Sequence, residues 1–439
     1  MGAARQFLVQ ECANLQQVLD DTLRFKFGLD GSKEFYEECV VRLKYLVSEL
    51  NGLADSDHGG VRRVIPRLIE LSELISRIER SSISEYSWPF VEELKKIARS
   101  ICAEETLTDA NAPPKIHVLS DGGLDKYAIY TESNRPSSAG KRILTIVFPR
   151  SLKHYVLLHS ILGHEIGHAM WQCSKHQPAL RNALGNSLFK AGPFANSKAT
   201  TDWLYSPTAP ASVKANLSRL ASRGVVQGKF FSWASWNAWT EEILCDLIGL
   251  ITFGPAFLAA ECSLLCSLDP AGSGIGPLHP PVGCRTNYLI SAARKLGFEN
   301  VKYSSEKLQT LHNSMWQGFV NKAQKDTWFD VFTDNQIAEA GAALKAIFST
   351  LPSSQFDLPS EADLTHLVDQ LSRGVPPNGF QVASPAQMGC RSLDFRQILH
   401  AGWLRTTDAG TMSFEQVNRL CEHGIMQQRA IDLSLQAGS

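Results

Sequence analysis

Apolar residues recur at every third or fourth position along residues 5–103, the spacing that places them on one face of an α-helix. One such series is Leu8, Cys12, Leu15, Leu19 and Leu23. Glycine-rich or polar interruptions near residues 28–31, 55–60 and 81–87 divide the segment. The pattern predicts a bundle-like N-terminal region of four helices.

Short runs of β-branched and aromatic residues replace the helical pattern beyond residue 114. They cover residues 115–119, 127–131 and 143–148, and polar or glycine-containing turn signals separate them. A long helical pattern then starts near Leu152. Three short strands followed by a helix predict a compact α+β unit.

Helical periodicity returns in residues 231–268, with a break at Gly254-Pro255, and again from about Arg285 to Leu296. Residues 300–439 also have a mostly helical pattern. A long stretch at 374–389 has neither helical nor strand periodicity, so we expect it to be irregular. The chain is therefore predicted to be predominantly helical.

The charge balance excludes one broad class of function. The chain has 43 Lys and Arg against 44 Asp and Glu, for a net charge of −1. A nucleic-acid binder that works through a strong positive field needs a large excess of basic residues, and so does a polybasic membrane-surface protein. We therefore expect neither kind of partner.

Membrane insertion and disulfide formation are also not expected. The most apolar segment, residues 243–268, contains Asp246 and Glu261 and is too interrupted to span a bilayer, so a buried core helix is predicted. The ten cysteines include no C-x-x-C pair, and no apolar signal-peptide stretch follows Met1. These features favour reduced thiols and a cytoplasmic location.

The first chemical motif is H-E-x-x-H, formed by His164, Glu165 and His168. Residues four apart share one face of a helix, so both imidazoles can point at the same metal ion. Glu165 is rotated by about 100° from His164, a position suited to a general base acting on water. Apolar residues flank the motif, which predicts a buried helix.

A third metal ligand is expected from a second helix, because a catalytic zinc usually has three protein ligands. Glu242 and Asp246 lie one turn apart in a segment that is otherwise apolar. Glu242 is the expected ligand, and Asp246 the expected acceptor for the free N–H of a ligand histidine. Glu241 ranks second as a ligand, because its partner one turn on is Cys245 rather than a carboxylate.

A third segment carries His279 between Leu278 and two prolines, followed by Arg285. The prolines stiffen the backbone, so His279 is a candidate donor to the oxyanion that forms when water attacks a carbonyl. Arg285 is expected either to brace the site or to bind a carboxylate. Taken alone, the segment would also suit an ordinary loop.

Taken together, the three motifs resemble those of the gluzincin metallopeptidases, and among them the HtpX / CAAX prenyl protease type. In that family H-E-x-x-H is followed by E-x-x-x-D and then by H-P-x-x-x-x-R, the order found here between residues 164 and 285. The resemblance covers roughly residues 115–295. The family's membrane helices are absent here, so a prenylated or membrane-embedded substrate is not expected.

The resemblance implies zinc ligation by His164, His168 and Glu242, with Glu165 as general base. Asp246 would support a ligand, and His279 and Arg285 would lie near the substrate or transition state. It also implies that substrate adds to an exposed sheet edge, for which residues 127–131 are the favoured strand.

The expected fold class is α+β and predominantly helical, with a zincin-like catalytic core made of a small mixed sheet and an active-site helix. The expected regions are an N-terminal helical region (1–110), a metallopeptidase core (111–298) and a C-terminal helical region (299–439). The leading hypothesis is a Zn²⁺-dependent endopeptidase acting on protein or peptide substrates, held latent by its helical flanks until a regulatory protein partner or a signal releases them. The alternative is a zinc-stabilised, non-catalytic interaction or regulatory protein.

Overall fold

The computed structural model describes residues 3–22, 30–54, 56–82, 88–102, 115–120, 127–131, 143–172, 178–180, 202, 205–208, 211–222, 236–269, 278–322, 334–351, 353–384, 387–408 and 412–437. The architecture is α+β and predominantly helical, as predicted. The chain divides into two compact units, Met1–Tyr86 with Cys102–Lys153 and Ser87–Ile101 with His154–Ser439. The division into three regions stays a prediction.

The helices of the first unit are α1 (Ala3–Thr22), α2 (Asp30–Gly52) and α3 (His58–Ser82). They bury the apolar faces that the sequence pattern predicted, and their shared core includes Leu8, Cys12, Leu19, Leu43, Leu50, Val64 and Ile75. The fourth predicted N-terminal helix is α4 (Trp88–Ile101), which belongs to the second unit.

The first unit also contains a three-stranded sheet of β1 (Lys115–Ser120), β2 (Ala128–Thr131) and β3 (Ile143–Phe148), in the order β1-β3-β2. The central strand β3 is parallel to β1 and antiparallel to β2. These strands confirm the sequence prediction, and β2 is an edge strand of the sheet, as is β1. Substrate addition at β2 stays a prediction.

The helix expected from Leu152 begins ten residues later, so that prediction was wrong. Short 3₁₀ turns cover Arg150–Leu152 and Leu158–Ile161, and α5 (Leu162–Trp171) follows. The reason lies in long-range hydrogen bonds. The Leu157 N–H donates to Asn418 and the Leu157 carbonyl accepts from Trp403, so neither group is available for a regular helix.

The second unit continues with α6 (Ala211–Ser222), α7 (Trp236–Phe253) and α8 (Pro255–Leu268). The predicted break at Gly254 is confirmed. Its φ is +60°, and a Cβ there would lie 2.2 Å from Cδ1 of Phe356. Only glycine combines that backbone conformation with so close a neighbour.

The remaining elements are α9 (Val282–Lys295), α10 (Glu306–Lys322), α11 (Asp334–Phe348), α12 (Glu361–Ser372), β4 (Phe380–Ser384), β5 (Gln387–Cys390), α13 (Phe395–Thr406) and α14 (Phe414–Ala437). The largely helical C-terminal region is thus confirmed for the residues that the structure describes. The hairpin of β4 and β5 corrects the expectation that residues 374–389 are irregular throughout. Its strands are short and have a register shift between Val382 and Ser384, so they leave little alternation in the sequence. None of the described helices is long and apolar enough to cross a membrane.

Candidate metal centre

Three glycines bring the motif helix α5 against α7. A Cβ at Gly163 would lie 2.9 Å from the Gly249 Cα, and one at Gly167 would lie 2.8 Å from the Cys245 Cα. Such distances mean that the two backbones are nearly in contact, because real Cβ atoms require more room. This close approach allows short side chains on α7 to reach the imidazoles of α5.

The three predicted ligands are brought together by this packing. Nε2 of His164 and Nε2 of His168 lie 3.2 Å apart. Each lies 3.4 Å from a different carboxylate oxygen of Glu242, Oε2 for His164 and Oε1 for His168. The ligand atoms therefore converge on one point, as the residue spacing predicted.

These separations fit a tetrahedral divalent metal. Bonds of about 2.0–2.1 Å to each ligand atom imply ligand-to-ligand distances of about 3.3–3.4 Å in a tetrahedron. The chemistry of the donor set also fits, since neutral imidazoles and a carboxylate are common zinc ligands. Lone pairs gathered this closely repel one another unless a positive charge lies among them.

The far side of each imidazole is held by a carboxylate. Nδ1 of His164 lies 2.8 Å from Asp246 Oδ1, and Nδ1 of His168 lies 2.9 Å from Glu241 Oε1. An ionised carboxylate only accepts hydrogen bonds, so each Nδ1 carries a proton, and in the neutral imidazole Nε2 then has the lone pair that a metal requires. Asp246 occupies the predicted position, whereas Glu241, ranked as the second ligand, orients His168 instead.

The electrostatics of the site favour a cation between the ligands. Burial on its own would lower the pKa of His164, but hydrogen bonds to Asp246 and Glu242 raise it well above the ordinary value. Burial would raise the pKa of Glu242, but its hydrogen bonds with the two histidines and the nearby charge of Arg285 lower it. The raised pKa of His164 reflects the negative charge of the carboxylates beside it, and the lowered pKa of Glu242 keeps that carboxylate ionised, so both carboxylates are available to stabilise a metal cation.

Glu165 follows His164 on α5 and is partly buried. Burial raises the pKa of its carboxyl group, while the neighbouring His164 and His168 act in the opposite direction. A raised pKa makes a carboxylate a better proton acceptor near neutral pH. Glu165 is also outside the ligand set of His164, His168 and Glu242, so its carboxylate is left for other chemistry.

Arg285 braces the site, which is one of the two roles expected for it. Its guanidinium donates to both oxygens of Asp246, from Nε at 2.8 Å and from Nη2 at 2.7 Å. Nη2 also donates to Glu261 Oε1 at 3.0 Å. Because Arg285 is 6 % exposed, a substrate carboxylate has no direct access to it here.

Glu261 was not recognised as a site residue from the sequence. It is the one charged residue of α8, and it is 2 % exposed. A lone carboxylate inside an apolar helix was the available signal, since such a group needs a buried partner. In the sequence alone, the charge of Glu261 spoke only against a membrane span.

His279 lies at the rim of the centre, just ahead of α9. Its side chain is 62 % exposed, and its Nε2 lies 3.7 Å from Glu242 Oε1. The residues before α9 thus place His279 on the open side of the ligands, while α9 itself places Arg285 behind them. The predicted oxyanion contact requires a bound substrate and stays a prediction.

The turn into α5 is held by the C-terminal helices of the same unit. Asn418 on α14 accepts from the Leu157 N–H at 3.1 Å and donates to the His154 carbonyl at 2.6 Å. Trp403 on α13 donates to the Leu157 carbonyl at 3.1 Å. The C-terminal helices therefore help to place the motif helix.

Neither the family models, nor the curated proteins, nor the solved structures gave a match to this chain. The gluzincin resemblance consequently rests on the motif residues and their geometry.

Proposed function

We propose that the chain is a zinc-dependent endopeptidase of the gluzincin type, with His164, His168 and Glu242 as metal ligands. The observation that carries this proposal is the convergence of two Nε2 atoms and a carboxylate within 3.2–3.4 Å of one another. Carboxylates behind both imidazoles support it, because they fix the tautomer that a metal ligand needs.

The residue types around the ligands suit peptide hydrolysis. A bound zinc ion would activate water and polarise the scissile carbonyl. Glu165 would take a proton from the attacking water and pass it to the leaving amine. His279, on the open rim, would donate a hydrogen bond to the oxyanion. Asp246 and Glu241 hold the imidazoles in place throughout.

Latency imposed by the helical flanks is part of the proposal, and the C-terminal helices also support the motif helix. Asn418 and Trp403 fix the turn that leads into α5. Removing residues 300–439 would therefore disturb the motif helix itself. Regulation by this region is better tested with full-length protein and a partner than with a truncation.

The proposal is tested by comparing wild-type protein with Glu165→Gln. Both are assayed for zinc content and for cleavage of an unfolded protein such as casein, with and without a chelator. Glu165→Gln should keep zinc and lose cleavage, because it loses a proton acceptor but no ligand. Glu415→Gln, an exposed glutamate substitution on α14, should keep both.

The outcomes separate the two candidate functions. Chelator-sensitive cleavage that disappears in Glu165→Gln supports a peptidase. Zinc binding without cleavage by wild-type protein, in the presence and absence of partners, supports the zinc-stabilised interaction protein instead. Cleavage that is unchanged in Glu165→Gln contradicts the proposed mechanism.

A further inference from the structure

The least explained group near the centre is the carboxylate of Glu261. Its Oε1 accepts from Arg285 Nη2 at 3.0 Å, and its Oε2 has no hydrogen-bond partner among the residues that the structure describes. Burying a carboxylate is costly, and burial raises the pKa of Glu261 to about 7. A neutral side chain would fill this place in α8 at lower cost.

When both imidazoles are neutral, as metal ligation requires, the buried charges near the ligands need a cation to balance them. Glu242, Asp246 and Glu261 are each less than 9 % exposed, and among the described residues the buried guanidinium that contacts all three is that of Arg285. With neutral imidazoles, three ionised carboxylates against one guanidinium leave a net charge of −2. A divalent cation restores neutrality, whereas a monovalent one does not.

Glu261 also determines where the Arg285 guanidinium lies. Nη2 is held at 2.7 Å from Asp246 and 3.0 Å from Glu261, while Nη1 stays 3.5 Å from Oε2 of Glu242. That oxygen also faces His164 Nε2, at 3.4 Å. Without the hydrogen bond to Glu261, the guanidinium could move toward Glu242, the other carboxylate near it. There it would compete with a metal for the Glu242 oxygen.

We propose that Glu261 is a positioning residue of the metal centre. It holds the Arg285 Nη2 against Asp246, so that Glu242 is met only by Nη1 at the longer distance of 3.5 Å, and it completes the negative charge that a divalent cation balances. The residue acts through Arg285, without touching metal or substrate. The inference rests on the proposed metal centre, but it does not require that the protein cleaves peptides.

The test measures metal affinity directly in the full-length protein. Metal-free protein is titrated with Co²⁺ and followed by its visible absorption, and Zn²⁺ affinity is then obtained by competition, at pH 8. The variants are Glu261→Gln, which keeps the shape but loses the charge, and Glu261→Asp, which keeps the charge. The control is Cys262→Ala, a change at the neighbouring buried position on α8.

We expect Glu261→Gln to weaken Zn²⁺ binding by about 10–100-fold, the usual range for partners behind a ligand. Glu261→Asp should recover part of this loss, and Cys262→Ala should leave affinity and the Co²⁺ spectrum unchanged. Metal-free Glu261→Gln should be no less stable than metal-free wild type, because the costly buried charge is gone. A merely structural role predicts a loss of stability instead.

Unchanged Zn²⁺ affinity in Glu261→Gln, with wild type binding normally, overturns the role of Glu261 and leaves the proposed function intact. Equal losses in Glu261→Gln and Glu261→Asp also overturn it, since the charge would then be irrelevant. Failure of wild-type protein to bind any divalent metal overturns this inference and the proposed function together. Metal binding without peptide cleavage overturns the peptidase proposal alone.

Discussion

The two histidines of the candidate centre lie one helical turn apart but have different surroundings. Behind His164, three buried groups form a continuous chain from Asp246 through Arg285 to Glu261. Beside His168 lie Glu241 and the thiol of Cys245, and the side chains of His168 and Glu241 remain more than one-fifth exposed. One side of the centre is therefore anchored in the core, and the other faces the opening where His279 lies.

The buried His164 side is therefore expected to determine folding stability and metal affinity, and the more exposed His168 side to be the one that solvent can reach. Charged hydrogen bonds are strongest where water is excluded, so changes on the His164 side should cost much folding or metal-binding free energy. On the His168 side water can replace a lost partner, so the same kinds of change should cost less. The following predictions test this difference, beginning with the largest expected effect.

Arg285→Met should destabilise the fold by about 3–5 kcal/mol, because it leaves the buried carboxylate of Glu261 without its partner and leaves Asp246 with His164 alone. Arg294→Met is the matched control on the same helix. Its ion pair with Glu299 is largely exposed and should contribute about 0–1 kcal/mol. The free energy of unfolding is measured by urea denaturation of the metal-free proteins.

A second variant sharpens this result. Adding Glu261→Gln to Arg285→Met removes the orphaned charge of Glu261 and should restore part of the lost stability. Equal stability losses in Arg285→Met and Arg294→Met would show that the buried ion pairs on the His164 side stabilise the fold no more than an exposed ion pair does.

The second comparison concerns the carboxylates behind the two imidazoles. Asp246→Asn should weaken zinc binding by about 10–100-fold, because His164 loses a buried, charged acceptor. Glu241→Gln should weaken it by less than about 10-fold, since water has access to His168. Competition with a metal chelator measures both. A larger loss in Glu241→Gln would reverse the assignment of the anchored side.

The smallest effect on the metal centre is expected from His279→Ala. An exposed side chain 3.7 Å from Glu242 adds little to folding or to metal affinity, so both should stay at the wild-type level. The turnover number for peptide cleavage should fall by up to about 100-fold if the imidazole stabilises the oxyanion. A loss of zinc in this variant would mean that His279 is a ligand.

The parts of the centre that depend on local spacing were predictable from the sequence. Helical geometry alone places His164 and His168 on one face of a helix. It likewise places the carboxylates of Glu242 and Asp246 on one face of a second helix. The role of Glu241 was not predictable in this way, because it depends on the direction in which the His168 ring turns. Glu261 was visible as a lone charge in an apolar run, but its partner is 24 positions away on another helix.

The fold, too, was predictable only where local sequence patterns determine it. Strand β3 and the break at Gly254 follow from local patterns, and both were predicted correctly. The start of α5 was missed because Leu157 is bonded to Asn418, 261 positions further along the chain. Contacts of that kind depend on the tertiary arrangement of the helices, which periodicity does not encode.

The most direct test of the central claim is the zinc content of purified wild-type protein beside His164→Ala and Glu242→Ala, with His423→Ala as an exposed-histidine control. We predict one zinc ion per chain in wild type and in His423→Ala, and loss of the metal in the two ligand variants. Full zinc content in both ligand variants, or no zinc in the wild-type protein, would contradict the metal centre described above.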